Sequence, residues 1–96
     1  MLCGGHSQAR QADEEEVALF TSLKAEVEAM SGENYTEFEV IVCTSQVVAG
    51  TNFWVKIRTN NGHIHVKIFR PLPHTGNPAN VTQVVAGQTA DSPFNH

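Results

Sequence analysis

Between residues 13 and 32 the apolar side chains fall at Val17, Phe20, Leu23, Val27 and Met30, a spacing that lays one stripe along a single helix face. Asp13 stands where a helix cap belongs. Glu16 follows three residues later, the pattern of a capping box. The run Glu14-Glu15-Glu16 suits the positive end of the helix dipole, and Gly32 supplies a C-terminal stop. The pattern predicts one long helix, whose acidic start reads as a solvated first turn rather than a metal or catalytic carboxylate cluster. Beyond Gly32 the period changes to two. In EFEVIVCTS, Phe38, Val40, Val42 and Thr44 share a face opposite Glu39, Ile41 and Cys43. In NFWVKIRT, Phe53, Val55 and Ile57 alternate with Trp54, Lys56 and Arg58, and in HIHVKIFR, Ile64, Val66 and Ile68 alternate with His63, His65, Lys67 and Phe69. Such alternation marks an antiparallel sheet with one solvated face.

Between the second and third strands, Asn60-Asn61-Gly62 carries an Asn-Gly pair suited to a two-residue hairpin turn. Pro71 and Pro73 interrupt pairing after the third strand, and residues 74–78 (HTGNP) read as a turn. Residues 80–85 supply a last strand, followed by a polar tail with Pro93. The expectation is an α+β domain in which one helix precedes a meander of about four strands and lays its stripe on the apolar sheet face. Residues 1–12 have no periodicity and carry a Gly4-Gly5 pair, so they read as a flexible arm. Turns of a meander alternate between the two ends of the sheet. The segment Gln46-Val47-Val48-Ala49-Gly50 and the segment Leu72-Pro73-His74 therefore share one end. With the arm passing that edge, three uncharged and exposed segments form a wedge of the kind that marks a partner.

Composition narrows the choice of partner. The 96 residues contain 41% hydrophobic and 17% charged positions, consistent with a single folded domain over residues 1–96. The net charge of −4 with six Lys and Arg lacks the basic footprint of a nucleic-acid binder. No run approaches a membrane span, and MLCGGHSQAR lacks the basic-then-apolar order of a signal peptide. Cys3 and Cys43 are too few for a disulfide framework, so a reduced, cytoplasmic setting is expected, with no cofactor.

At the wedge residues the chain resembles the stefin family, the small intracellular cystatins that inhibit papain-like cysteine proteases. The resemblance covers residues 1–78. It rests on Met1-Leu2-Cys3-Gly4-Gly5, on Gln46-Val47-Val48-Ala49-Gly50 running into Thr51-Asn52-Phe53, and on Leu72-Pro73-His74. It implies a cystatin-like fold, a four- or five-stranded antiparallel sheet wrapped around one long helix. It also implies reversible, competitive inhibition, with the three segments entering the active-site cleft of a cathepsin-type protease. By the same resemblance, residues 46–50 lie near the catalytic cysteine, and Leu2 and Cys3 follow the non-primed subsites. Gly4 lets the arm turn away from the nucleophile, Gly5 belongs to the same protease-binding set, and Leu72, Pro73 and His74 brace the primed side. Family C-termini continue with a longer strand and a charged tail, whereas this chain has ANVTQVVAGQTADSPFNH. Trp54 is expected on the solvent side of the sheet with no binding role.

Rival readings are weaker. Cys3 has no ordered base beside it, and Cys43 lies mid-strand, where packing is the common role. His63 and His65 share a strand face but lack a third metal ligand. A cystatin-fold binding module without inhibitory activity is the alternative function. In assembly, a monomer is expected, with a domain-swapped dimer possible through the first hairpin. The word QVVAG recurs at residues 83–87 with no strand beyond it, so the second copy reads as a strand segment.

Overall fold

A computed structural model describes residues 8–94. Two consecutive helices, α1 (Glu14–Ser22) and α2 (Lys24–Ser31), precede four strands: β1 (Phe38–Val48), β2 (Gly50–Thr59), β3 (Gly62–Arg70) and β4 (Asn80–Gln88). The strands form one antiparallel meander in the order β1-β2-β3-β4, the α+β arrangement expected.

The capping box is formed in both directions. The Glu16 amide donates to Asp13 Oδ1 at 2.8 Å, and the Asp13 amide donates to Glu16 Oε1 at 3.0 Å. Gly32 ends α2 in the left-handed region at φ 77°. The single long helix of the sequence reading is broken at Leu23. There the Ser22 hydroxyl donates to the Leu19 carbonyl at 2.5 Å, the acceptor that the Leu23 amide would use in a continuous helix. The Leu23 amide turns instead to Phe20 O at 3.1 Å, and regular pairing resumes with Val27 N–H to Leu23 O at 3.0 Å.

Both helices cover one face of the sheet. Phe20 and Val27 are buried with Phe53, Val55, Ile57, Ile64, Val66, Ile68 and Val81, and the Phe20 and Phe53 rings meet edge to face at 5.0 Å. Val17 and Met30, counted in the apolar stripe, lie at its exposed margins. The Val81 amide donates to the Glu26 carboxylate, tying α2 to β4.

Two face assignments change. In β1, Val40 pairs with Ile57 and Val42 with Lys56, so Ile41 is an extra residue in a bulge. The bulge reverses the alternation beyond it. Cys43, opposite Val55, enters the core, while Val42 and Thr44 move to the outer face. That outer face is also not solvated: Trp54 is 2% and His65 1% exposed, and Lys56 and Thr44 are buried beside them. The tail after β4 covers its Lys56 and His65 part. Lys56 Nζ donates to the carbonyls of Ala90 at 2.6 Å and Ser92 at 2.9 Å, and the Phe94 ring lies 4.5 Å from that of His65. The last strand also reaches Gln88 instead of stopping at residue 85. Its extra length is accommodated by shifts against β3 and by Gly87 at φ 72°.

The sheet has two distinct ends. At one, Asn60 and Asn61 form the β2–β3 turn, with Gly62 already paired to Thr59. The end of α2 and the segment after it close over this turn, through Asn61 Nδ2 to Glu33 Oε1 at 2.9 Å and Thr36 N–H to Asn60 Oδ1 at 2.9 Å. The other end carries the candidate site.

Candidate functional site

The Gln46-Val47-Val48-Ala49-Gly50 segment is less a loop than the continuation of two strands. Gln46, Val47 and Val48 belong to β1 and Gly50 opens β2, with pairs Gln46↔Asn52, Val47↔Thr51 and Val48↔Gly50. Only Ala49 lies outside the ladder. β-Branched valines favour this extended backbone, and alternation sends Val47 and Val48 to opposite sides of the hairpin. Among the described residues, Val47 is 73% exposed and Val48 44%. Asn52 Nδ2 donates to Gln46 Oε1 at 3.4 Å across the base of the projection.

Gly50 holds this hairpin against the next strand. Its φ is 129°, and a methyl group there would lie 2.6 Å from Arg70 O and 2.8 Å from the Phe69 ring. The absent side chain therefore allows β3 to pass close beside the turn. Thr51 pairs with Arg70, so the chain leaving β3 emerges next to the first hairpin.

That chain is the second segment. Leu72 is extended at φ −59° and ψ 142°, as a residue before proline prefers, and Pro73–Thr75 form one turn of 3₁₀ helix. Leu72 O accepts from the Thr75 amide at 3.1 Å and from the Thr75 hydroxyl at 2.8 Å, and Gly76 ends the turn at φ 70°. Two prolines and these bonds make the segment stiff, with Leu72 38% exposed and Pro73 and His74 at the surface. Glu15, Gly50, Thr51, Arg70, Pro71, Leu72 and Pro73 line a shallow depression where the two hairpins meet the start of α1.

The third segment, Leu2, Cys3, Gly4 and Gly5, lies outside the described residues. Its point of attachment is described, and it falls earlier than the arm boundary at residue 12 read from the sequence. Arg10 forms an isolated antiparallel bridge with Cys43, through Arg10 N–H to Cys43 O at 2.9 Å and Cys43 N–H to Arg10 O at 2.8 Å. The Arg10 guanidinium also grips Glu16, with Nη1 to Oε1 at 2.7 Å and Nη2 to Oε2 at 2.8 Å. Hydrogen bonding from Arg10 holds the Glu16 carboxyl below the usual carboxylate range, and the same bonds raise the arginine further above its ordinary value. The helix start is thus not wholly solvated, since Glu16 is buried. Sequence reasoning assigned Glu16 to the cap but missed Arg10. A lone arginine in an aperiodic stretch carries no spacing signal.

Other candidate groups have structural surroundings. Burial pushes the Cys43 thiol up to about 11, which leaves it a neutral packing group in the core. His65 is enclosed between Lys56 and Phe94, and no group of three His, Cys, Asp or Glu able to hold a metal occurs among the described residues. None of the described helices is long and apolar enough to cross a membrane.

A scan against protein-family models finds no match. Individual proteins do match, nearly end to end. Leukocyte cysteine proteinase inhibitor 1 of Sus scrofa is 34% identical over 92 residues, 95% of this chain and 89% of that protein. Cystatin-A of Bos taurus is 36% identical over 92 residues, covering 95% of this chain and 94% of its own. Cystatin-B of Paralichthys olivaceus is 30% identical over 97 residues, spanning 100% of this chain and 99% of its own.

Proposed function

The chain belongs to the stefin family, that of cystatins A and B, and on that premise we propose that it is a reversible, competitive inhibitor of papain-like cysteine proteases. It is an inhibitor and not an enzyme. The hairpin tip at Val47, Val48 and Ala49 and the stiff Leu72-Pro73-His74 segment enter the active-site cleft side by side, with Leu2, Cys3, Gly4 and Gly5 completing the wedge. No cofactor takes part, and the working location is the cytoplasm.

The observation that carries this reading is the gathering of two exposed, uncharged projections at one end of the sheet. Both are ordered before any partner arrives, the first by ladder pairs up to Val48↔Gly50 and the second by proline and the Thr75 bonds. Pre-ordered projections lose little conformational freedom on docking. The attachment of the arm adds a direction. In an antiparallel bridge at Cys43, the chain ahead of Arg10 leaves toward the Val48 end of β1. At ~3.3 Å per residue, the steps from Arg10 back to Leu2 span ~26 Å, against ~17 Å from Cys43 to Val48. Leu2 is therefore within reach of a cleft that receives the hairpin.

Titration of papain and a panel of cathepsin-type proteases tests the function. Stoichiometric loss of activity, relieved by excess substrate, is expected. No loss with any of them would point instead to a cystatin-fold binding module. Burial of one leucine is worth ~1.5–3 kcal/mol, so Leu2→Ala is expected to weaken inhibition by roughly 10-fold or more, chiefly through faster dissociation. An unchanged dissociation rate would remove the arm from the wedge. The active species is the monomer. A dimer that exchanges strands through the first hairpin, separated by gel filtration, is expected to have lost inhibition.

A further inference from the structure

The Arg10–Glu16 pair adds to anchors that the fold already has. The α1 amides are capped by Asp13 without it. The edge of β1 is met at Cys43 by the backbone of residue 10, which any residue type supplies. What the guanidinium adds is a second anchor in another direction. Its two parallel bonds to Glu16 are fork-to-fork, the geometry that constrains angle as well as distance. Glu16 Oε1 is itself held by the Asp13 amide at 3.0 Å, so the carboxylate cannot swing with the arginine. The base of the arm is thus tied to β1 through its backbone and to the first turn of α1 through its side chain.

We propose that the Arg10–Glu16 ion pair is a positioning device that aims the N-terminal arm along β1 toward the hairpin tip. This rests on the inhibitory reading above and names residues that set its affinity without entering the cleft. Any segment held by one backbone bridge alone is free to turn about it, and docking of its far end must remove that freedom. The clamp removes that freedom beforehand, so its effect on binding passes through Leu2 and appears in the lifetime of the complex.

A double-mutant cycle in the full chain tests it. Dissociation rates from papain are measured for the unaltered protein, Arg10→Ala, Leu2→Ala and the double variant, with the melting temperature of each. Arg10→Ala is expected to speed dissociation about 2- to 12-fold, which corresponds to ~0.5–1.5 kcal/mol for one group left unordered. In the Leu2→Ala background the same change is expected to have less than about 2-fold effect, since the two residues act as one unit. Arg10→Lys, which keeps the charge and loses the fork, is expected to recover only part of the loss. If Arg10→Ala does not fold, Glu16→Gln takes its place, because the amide still offers an acceptor to Asp13. Equal effects in both backgrounds would overturn the proposal, since a direct protease contact or general loosening acts without Leu2. So would an unchanged dissociation rate. If the unaltered protein inhibits none of the proteases, the inhibitory reading falls and this one with it. Intact inhibition without coupling removes the clamp alone.

Discussion

Gly50 and Gly87 close the two copies of the same five-letter word, and they are glycines for different reasons. At Gly87 the backbone sits at φ 72°, but a methyl group would meet nothing within 4 Å. At Gly50 the φ of 129° is joined by a backbone oxygen of Arg70 only 2.6 Å from where the methyl would stand. A flexible side chain can yield to such an approach, whereas a paired strand cannot. Gly87→Ala is therefore expected to cost ~1–2 kcal/mol of left-handed strain and to leave inhibition intact. Gly50→Ala is expected to cost more than ~2 kcal/mol, from strain and overpacking together. It should also weaken inhibition beyond its share of unfolded protein, because displacing β3 from β2 separates the two projections. Urea melts beside inhibition constants check both variants. Similar inhibition by the two would mean that the contact at Arg70 O does not set the hairpin spacing.

At the level of elements, the first QVVAG is the end of a hairpin in open solvent and the second lies within β4. Val84 is half-buried against the core, opposite Val66, whereas Val47 is exposed among the described residues. Val84→Ala is expected to lower stability by ~1–2 kcal/mol and spare inhibition. Val47→Ala is expected to keep stability within ~0.5 kcal/mol and weaken inhibition several-fold. Matching losses of inhibition from both would put the second copy in the binding edge. These elements also mark what was legible in the chain. The strands, the capping box and the shared end of the two turns follow from local period and turn chemistry, which one sequence displays directly. The bulge at Ile41 does not, since an alternating run reads the same with or without an extra residue, and it placed Cys43 on the wrong face. The helix break at Leu23 turns on one serine hydroxyl choosing an acceptor. The covered outer face was least accessible, because Lys56 and His65 look solvated until residues 89–94 return across them. Removing the chain after Gln88 is expected to expose Lys56 and His65 to water. It should lower the melting temperature by several degrees, consistent with ~1 kcal/mol or more lost. Inhibition per folded molecule should be unchanged, since the tail lies away from both hairpins.

Across the whole molecule, one end of the sheet is sealed and the other is left projecting, and two titrating groups make stability depend on pH in different ranges. Glu16 has its pKa lowered, first by the hydrogen bonds from Arg10. A lowered carboxylate contributes stability above its unfolded pKa and loses it only as pH falls through the folded value. The clamp at the binding end therefore stays charged through mildly acidic conditions. His65 behaves differently. Burial, then the charges of Lys56 and His63, lower its pKa from 6.5 to about 4, while Asp91 in the tail faces Lys56. The unfolded chain takes up this proton near 6.5 and the folded one only near 4. Between those values the unfolded state binds more protons, so stability must fall as pH drops, by at most ~1.4 kcal/mol per pH unit for one site. Urea melts from pH 7.5 to pH 4.5 are expected to show that decline in the unaltered protein and a flatter profile in His65→Gln. Above about pH 7 the two profiles should run parallel, because His65 is then largely neutral in both states. Parallel profiles throughout would show that His65 titrates normally and that Phe94 and the tail do not seal it from water. Because Lys56 and His65 lie under the tail and the clamp lies at the opposite face, acid should loosen the strap before it disturbs the binding edge. Inhibition measured at pH 5 on the folded fraction should then match that at pH 7, once the protease's own pH dependence is divided out.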